Sequence, residues 1–382
     1  MPERRRPVVD PSPALRAVAA HGLSGSSLTV PSGPLDSATW ADLLGRAGRQ
    51  RLIGLLAACV ADGTLAVTDA QHDEVAHEHA TVMERILDIE SAALDAIGTL
   101  GDAGVHVRVL KGLAVSHLDL PDPSQREFGD ADLLVEPGAF GRAIEVLTAA
   151  GLPRDLPERR AGFDRRFGKE ATLYGPRGIE IDLHRTLALG AFGLALDPAT
   201  LWDDGEQFLI GGHPLLALTP EARLLHACYS AMLGDPVPRV VALRDIAGLA
   251  GRPGLAAGMV IRLAERGRGA IVVARALRLA GDTLGLGPGW PEWDWAPTRP
   301  EPRWERVALA AYESHGGTNT TTLLSGLLAI KGAGPKLSYG RALVFPDRAY
   351  RRARRRAGRP SEWGRGLREL ARLSSRRVRR RP

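Results

Sequence analysis

The spacing of apolar side chains predicts helices over residues 36–104. The longest is expected over 68–100, where apolar residues recur every three to seven positions and Thr68 is placed to cap the first turn. Helical spacing returns at 216 and continues to about 315. These two helical regions enclose the stretch 105–215, in which the pattern is different.

Alternating polar and apolar residues predict strands in this central stretch. Residues 105–110 and 128–135 are strand-like, and a helix is expected between this second strand and the next one, over 137–150. A hairpin is predicted over 170–184, because a Gly-Pro-Arg-Gly turn separates two alternating segments. This order is typical of a small α/β or α+β domain. We predict an α+β fold, with a small mixed sheet between helical regions.

Composition indicates a folded protein, since 44% of its 382 residues are apolar. The two cysteines, Cys59 and Cys228, are far apart and form no CxxC pair, so neither a disulfide framework nor a cysteine metal site is expected. Residues 1–35 are rich in Pro, Ser and Gly and are predicted to be disordered. Neither a signal-peptide pattern nor an apolar stretch of bilayer length is present, so we expect a cytoplasmic protein.

Positive charge is concentrated at the C-terminal end. The net charge is +6, but residues 347–382 contain 15 Arg against three acidic residues, which leaves the rest of the chain acidic. The segment 316–382 is therefore predicted to be a basic, Arg-rich tail. Two interpretations stay open: the tail binds nucleic acid or another anionic surface, or it is a solvated terminal helix.

Two short segments contain the acidic residues that are candidates for metal binding. Asp130 and Asp132 are separated by one residue, so in a strand both carboxylates project to the same side and favour a cation between them. In the segment 180–184 the polar residues Glu180, Asp182 and His184 likewise share one face. If this strand lies beside the first, Asp182 completes a three-carboxylate site suited to Mg²⁺, with room for two ions. The alternative is an ordinary polar outer face of a hairpin.

Three further residues are candidate phosphate contacts. Lys111 and Gly112 lie where a strand ends and a helix begins, and there helix N–H groups face an anion and lysine adds a positive charge. Arg126, four residues before the acidic pair, is placed to reach a triphosphate. A Lys-Gly pair at a strand end is also common in ordinary turns.

Taken together and in this order, the segments 109–112 (VLKG), 126–135 (REFGDADLLV) and 180–184 (EIDLH) resemble a family of bacterial nucleotidyltransferases within the DNA polymerase beta-like superfamily. The resemblance covers about residues 80–260. It implies a mixed sheet flanked by helices and two Mg²⁺ ions. It also implies transfer of a nucleoside monophosphate from an NTP to an acceptor, with release of pyrophosphate.

The resemblance also implies roles for individual residues. Asp130 and Asp132 would bind both metal ions, and Asp182 would bind the ion that lowers the pKa of the acceptor hydroxyl. His184 follows the family's Asp-Leu-His pattern, with a structural hydrogen bond as an alternative to a catalytic role, and Glu180 is a further candidate on its strand.

The same resemblance places Gly112 in the phosphate-contacting turn and Lys111 and Arg126 beside the phosphates. The superfamily's usual serine after this glycine is replaced by Leu113, which removes a hydroxyl from the turn. The expected partners are an NTP, with ATP as one candidate, and an unidentified small-molecule or peptide acceptor. The alternative function is a catalytically silent binding module that acts through its basic tail.

Overall fold

The computed structural model describes residues 12–202, 204–235, 237–287, 301–313 and 319–359. The strands in chain order are β1 (Val107–Val109), β2 (Ala131–Val135), β3 (Glu170–Tyr174), β4 (Glu180–His184), β5 (Glu206–Ile210) and β6 (His213–Ala217). The helices before the last strand are α1 (Pro13–Ala19), α2 (Ser37–Gln50), α3 (Ile53–Ala61), α4 (Asp69–Asp102), α5 (Lys111–Leu118), α6 (Phe140–Ala149), α7 (Phe163–Phe167) and α8 (Ala191–Ala195). The later helices are α9 (Pro220–Leu233), α10 (Val240–Ala250), α11 (Ala257–Arg266), α12 (Ala270–Leu284), α13 (Arg303–Glu313), α14 (Asn319–Ala329), α15 (Ala333–Val344) and α16 (Arg348–Arg356).

The long helix α4 begins where the sequence predicts. The Thr68 hydroxyl accepts a hydrogen bond from the Gln71 backbone N–H at 3.3 Å, and the Gln71 side chain accepts one from the Thr68 N–H at 3.1 Å. This reciprocal pair satisfies two N–H groups of the first turn, which would otherwise lack partners within the helix.

The six strands form one mixed sheet in the order β3-β4-β2-β1-β6-β5. Parallel pairing joins β2 to β4 and β1 to β6, and the other neighbours are antiparallel. The prediction of an α+β fold with a small mixed sheet flanked by helices is therefore confirmed. The hairpin of β5 and β6 was not predicted, and it extends the sheet beyond residue 215.

The two faces of the central strands are chemically different. Ala131, Leu133 and Val135 of β2 are fully buried in a core with α4 and α6. On the other face, Asp132 and His184 are buried under the C-terminal helices. The His226 ring of α9 lies edge-on to the His184 ring, with 6.2 Å between their centroids. The site face is therefore enclosed, which raises the cost of leaving its charges without partners.

The prediction that residues 1–35 are disordered is wrong for the described part, which begins at Ser12. Ser12 caps α1, whose Leu15 and Val18 are buried in the helical core. The Arg16 side chain donates to the carbonyl oxygen of Thr283 at 2.6 Å. Pro, Ser and Gly lower local helix propensity, but burial of two apolar side chains against α12 outweighs that preference.

The segment 316–382 is not simply a tail. Its described residues include the helices α14, α15 and α16, and Tyr339 of α15 is fully buried against Phe163 and Phe167 of α7. Residues 360–382, which contain the rest of the basic segment, lie outside the described residues. Among the described helices, none combines the length and apolar character needed to cross a membrane.

Candidate active site

The two central acids face each other across neighbouring strands. Asp132 of β2 and Asp182 of β4 are register partners in a parallel pair. Partners in such a pair point to the same face, so both carboxylates lie on the enclosed side of the sheet. With His184 they form a group whose potential ligand atoms all lie within 4.8 Å of one another. The structure thus brings Asp132, Asp182 and His184 together.

Two residues of the edge strand β3 complete this polar cluster. The Thr172 hydroxyl donates a 2.6 Å hydrogen bond to Asp182, its register partner. Glu170 is paired with His184, and its carboxylate lies 3.3 Å from the His184 Nε2 atom. Neither residue was among the site residues expected from the sequence. The hairpin turn at 175–178 could have predicted the contact of Thr172 with Asp182. The strand register counted outward from this turn pairs the two residues.

The two carboxylates differ in their surroundings. Burial alone would raise the pKa of Asp132, but the Lys111 ammonium and a 2.7 Å hydrogen bond from His184 Nε2 hold this pKa well below its usual range. Burial, followed by the negative charge of Glu170, raises the pKa of Asp182 to about 6. Asp182 therefore sits in a negative field that a bound cation would relieve.

Lys111 is held at Asp132 by an unusual backbone conformation. Its φ is +45°, which costs an L-residue of this kind on the order of 1–2 kcal/mol. The result is an ion pair between its ammonium and Asp132 Oδ1. Burial would lower the pKa of Lys111, but the charges of Asp132 and Glu170 raise it above its ordinary value. Lys111 is therefore positively charged, and it lies at the first residue of α5, beside the acids.

Gly112 is required first of all by packing. A Cβ atom on Gly112 would lie 2.5 Å from the Cβ of Phe128, in the loop that leads to the acids. The start of α5 and this loop can approach so closely only with glycine. The phosphate role predicted for Gly112 stays a prediction, and close packing is a second reason for the residue.

We expect Gly112→Ala to lower the free energy of unfolding by about 1–3 kcal/mol, because the new methyl group must displace Phe128. The matched control is Gly98→Ala in α4, where no atom lies within 4 Å of the added Cβ. That change should stabilise the protein by about 0.5–1 kcal/mol. Urea unfolding of both variants checks the opposite signs, and equal stabilities would contradict the close packing of Gly112.

Asp130 lies apart from the other acids. It precedes β2, is partly exposed, and faces the Arg51 guanidinium at 4.0 Å. It does not join Asp132 and Asp182 in the metal-ligand group found among the described residues. Arg51 was not singled out from the sequence, and no local pattern marks it. Its own φ of +58°, at the end of α2, turns it towards Gly129 and Asp130.

Arg126 does not lie free to bind phosphate. Its guanidinium is buried and donates from Nε and Nη2 to Asp245 of α10, at 2.8 and 2.7 Å, and from Nη1 to the Glu127 carbonyl. The Glu127 carboxylate accepts hydrogen bonds from the Ile53 and Gly54 N–H groups at the start of α3. The loop before the acids is thus tied to two helices, and the phosphate contact predicted for Arg126 is replaced by a positioning role.

We expect Arg126→Met to lower the free energy of unfolding by about 3–5 kcal/mol, because the Asp245 carboxylate would be buried without its partner. Arg46→Met is the control, since Arg46 forms an exposed pair with Asp42 on α2 and should have little effect. Thermal unfolding distinguishes a positioning role of Arg126 from a role as a phosphate contact. A variant that unfolds like the wild type but loses affinity for NTP would restore Arg126 as a phosphate contact.

Glu180 lies at the exposed start of β4, opposite Tyr174. It shares a face with Asp182, as its spacing predicts, but it is not part of the metal-ligand group. The structure therefore gives no contact that assigns it a role in the site.

The donor set fits a hard divalent cation. The two carboxylates, Asp132 and Asp182, lie side by side on adjacent strands. Carboxylate oxygens are the ligands that Mg²⁺ prefers in proteins, alongside water and substrate phosphates. Burial and then the charge of Glu170 raise the pKa of Asp182, so a bound cation would stabilise the ionised form of this carboxylate. His184 already donates to Asp132, so its function in this arrangement is to orient that carboxylate.

Comparisons with known proteins identify the family to which the chain belongs. Residues 36–285 match the sequence model of a family described as uncharacterised nucleotidyltransferase, and because the match covers more than half of the chain, the protein belongs to this family. Among solved structures, an antigenic nucleotidyltransferase-like protein from Paracoccidioides brasiliensis is 14% identical. That alignment covers 52% of this chain and 91% of the other, with a TM-score of 0.30. No curated protein matches the chain.

Proposed function

We propose that the protein is a metal-dependent nucleotidyltransferase that joins a nucleoside monophosphate from an NTP to an acceptor hydroxyl. The proposal rests on one observation: Asp132 and Asp182 are register partners on parallel strands, and with His184 they form a group whose side-chain atoms lie close enough together to hold a metal ion. Membership of a nucleotidyltransferase family supports it.

The metal would be held by Asp132 and Asp182, the two carboxylates that the parallel strands bring together. Mg²⁺ bound there, as two ions in the arrangement implied by the resemblance, would neutralise phosphate charge and lower the pKa of the attacking hydroxyl. His184 holds the Asp132 carboxylate in place through its 2.7 Å hydrogen bond. Fixed carboxylates limit the reorganisation that the reaction needs.

In the proposed step, the acceptor oxygen forms a bond to the α-phosphorus while the bond to the β-phosphate oxygen breaks and pyrophosphate leaves. The hydroxyl proton passes to the Asp182 carboxylate. Lys111 lies at the first residue of α5, and its ammonium supplies positive charge to the phosphates. Positioning and charge neutralisation are the main sources of rate enhancement in this scheme.

The position of a radioactive label tests the reaction type. The full-length protein is incubated with Mg²⁺, cell extract and each NTP labelled at either the α- or the γ-phosphate. We expect a labelled product from one α-labelled nucleotide and none from its γ-labelled form, since the γ-phosphate leaves within pyrophosphate. Transfer of the γ label would indicate a kinase instead. No transfer with any nucleotide would favour the catalytically silent binding module.

A further inference from the structure

A cleft of about 360 Å³ opens beside the edge strand β3, next to the proposed metal ligands. Its lining includes Glu170 and Thr172, the two residues that contact His184 and Asp182. The opposite walls come from residues 154–164, from α9 and from α16. A molecule bound in this cleft would therefore lie within reach of the acids.

The cleft lies on the acceptor side of the acids. In the sheet order, β4 and β2 separate β3 from β1, and Lys111 follows β1 directly. The acids on β2 and β4 thus stand between Lys111 and the cleft. An in-line transfer places the attacking oxygen and the leaving pyrophosphate on opposite sides of the phosphorus. With Lys111 on the phosphate side, the cleft beside β3 is the place for the acceptor.

Basic side chains outnumber acidic ones in this cleft. The five basic residues that line it are Arg154, Arg159, Lys169, Arg354 and Arg359, against the three acids Asp155, Asp164 and Glu170. Each acid is ion-paired with one of these basic residues: Asp164 with Arg154, Glu170 with Lys169, and Asp155 with Arg359. A second cavity of about 720 Å³ runs along α16 and shares Tyr350, Arg354 and Arg359 with the first. Its charged lining consists of Arg160, Arg348, Arg351, Arg354, Arg355, Arg359 and one acid, Asp347.

The excess of positive charge is therefore larger in the second cavity than in the first, and only the first is lined by Glu170 and Thr172, which contact His184 and Asp182. Guanidinium groups bind phosphate through paired, charge-assisted hydrogen bonds and hold it more specifically than a point charge does. An acceptor that carries phosphate at one end and a hydroxyl at the other matches this difference in charge between the two cavities. Its hydroxyl would lie at Asp182 and its phosphate at α16.

The aromatic residues of the cleft are already engaged in the protein. Phe163 stacks on Tyr339 with 5.6 Å between ring centroids, and Tyr350 lies under the Arg159 guanidinium at 4.9 Å. Binding of single-stranded nucleic acid depends on aromatic faces that are open to the bases. The volume of the first cleft is in the range of sites for small molecules. These features favour a compact acceptor over a nucleic-acid strand.

We infer that the acceptor is a small phosphorylated alcohol, with its phosphate bound by Arg351 and Arg354 of α16 and its hydroxyl directed towards Asp182. This inference rests on the proposed function and specifies its substrate class. The phosphate of the acceptor is unchanged by the reaction, in which only the hydroxyl oxygen acquires the nucleoside monophosphate and loses its proton.

Removal of phosphate from the extract tests the substrate class. The low-mass fraction is treated with alkaline phosphatase, which is filtered out before the protein and the α-labelled nucleotides are added. We expect a labelled product from the untreated fraction and none from the treated one. Labelling that survives the treatment would overturn the inference and leave the proposed function intact. Labelling found only with the high-mass fraction and abolished by nuclease would identify nucleic acid as the acceptor instead.

If no fraction is labelled, the proposed function is contradicted. Whether the cleft binds phosphate is then tested by a separate measurement. Binding of inorganic phosphate to the full chain is measured by calorimetry at constant ionic strength. Arg351→Gln/Arg354→Gln should weaken it by about tenfold or more, because both side chains line the second cavity.

The matched control is Arg352→Gln/Arg356→Gln, which removes the same charge from exposed positions of α16 outside both cavities. It should change the affinity by less than about twofold, since exposed charges at a distance are screened. Equal losses in the two double variants, or no phosphate binding by the wild type, would overturn the inference. Circular dichroism of each variant verifies that the helices are retained.

Discussion

Replacement of either central acid by its amide is expected to abolish nucleotidyl transfer. Asp132→Asn and Asp182→Asn each remove one of the carboxylates that face each other across β2 and β4, so each should lower the rate by about 10³-fold or more. The measurement is transfer from the α-labelled nucleotide at saturating Mg²⁺. Glu145→Gln, on an exposed position of α6 that packs on the other face of the sheet, is the control and should retain full activity.

The two amide variants should differ in stability although they agree in activity. Asp132→Asn leaves the Lys111 ammonium without its carboxylate, so it should lower the free energy of unfolding by about 3 kcal/mol. Asp182 has a raised pKa, which means that its ionised form destabilises the metal-free protein above that pKa. Asp182→Asn should therefore be at least as stable as the wild type at pH 8. A destabilised Asp182→Asn, or an active variant of either kind, would contradict the assignment.

Lys111→Met is expected to change metal binding and catalysis in opposite directions. The Lys111 ammonium contacts Asp132 Oδ1, so it competes with a cation for that carboxylate. Its removal should tighten binding of Mn²⁺, used as a probe for Mg²⁺, by about tenfold. Transfer should nevertheless fall by about 10²-fold, with a higher KM for NTP, because the phosphates lose a positive charge.

Lys336→Met is the matched control, since Lys336 lies on an exposed position of α15 far along the chain from the site. It should leave both quantities unchanged. A Lys111→Met protein that loses Mn²⁺ affinity and activity together would show that the lysine only maintains the fold of the site. That result would remove Lys111 from the proposed phosphate contacts.

The sequence predicts the acidic strands well because a two-residue period determines which side chains share a face. Asp132 and Asp182 were expected on one face of neighbouring strands, and the structure pairs them directly. The same alternation did not show that Asp130 lies before the strand begins, beside Arg51. One residue at a strand end is enough to change a carboxylate from an inward to a partly exposed position.

Contacts between distant parts of the chain leave no local pattern in the sequence from which they could be predicted. Arg126 and Asp245 are 119 residues apart, and no local pattern pairs them. The contact of Lys111 with Asp132 depends on a positive φ, which lysine rarely adopts and which the sequence gives no reason to expect. The helices α14 and α15 were also missed, because the arginines that follow residue 347 led to the whole segment 316–382 being assigned to a basic tail. These two helices contain only one arginine, Arg341, and their apolar residues pack on α7.

Binding of Mn²⁺ tests the central claim most directly, because it requires neither the nucleotide nor the acceptor to be known. The free ion is followed by electron paramagnetic resonance as it is titrated into the wild type, Glu145→Gln and Asp132→Asn/Asp182→Asn. The wild type and Glu145→Gln should bind the ion with the same affinity, and the double variant should not bind it. Equal binding by all three proteins would contradict a metal centre at Asp132 and Asp182.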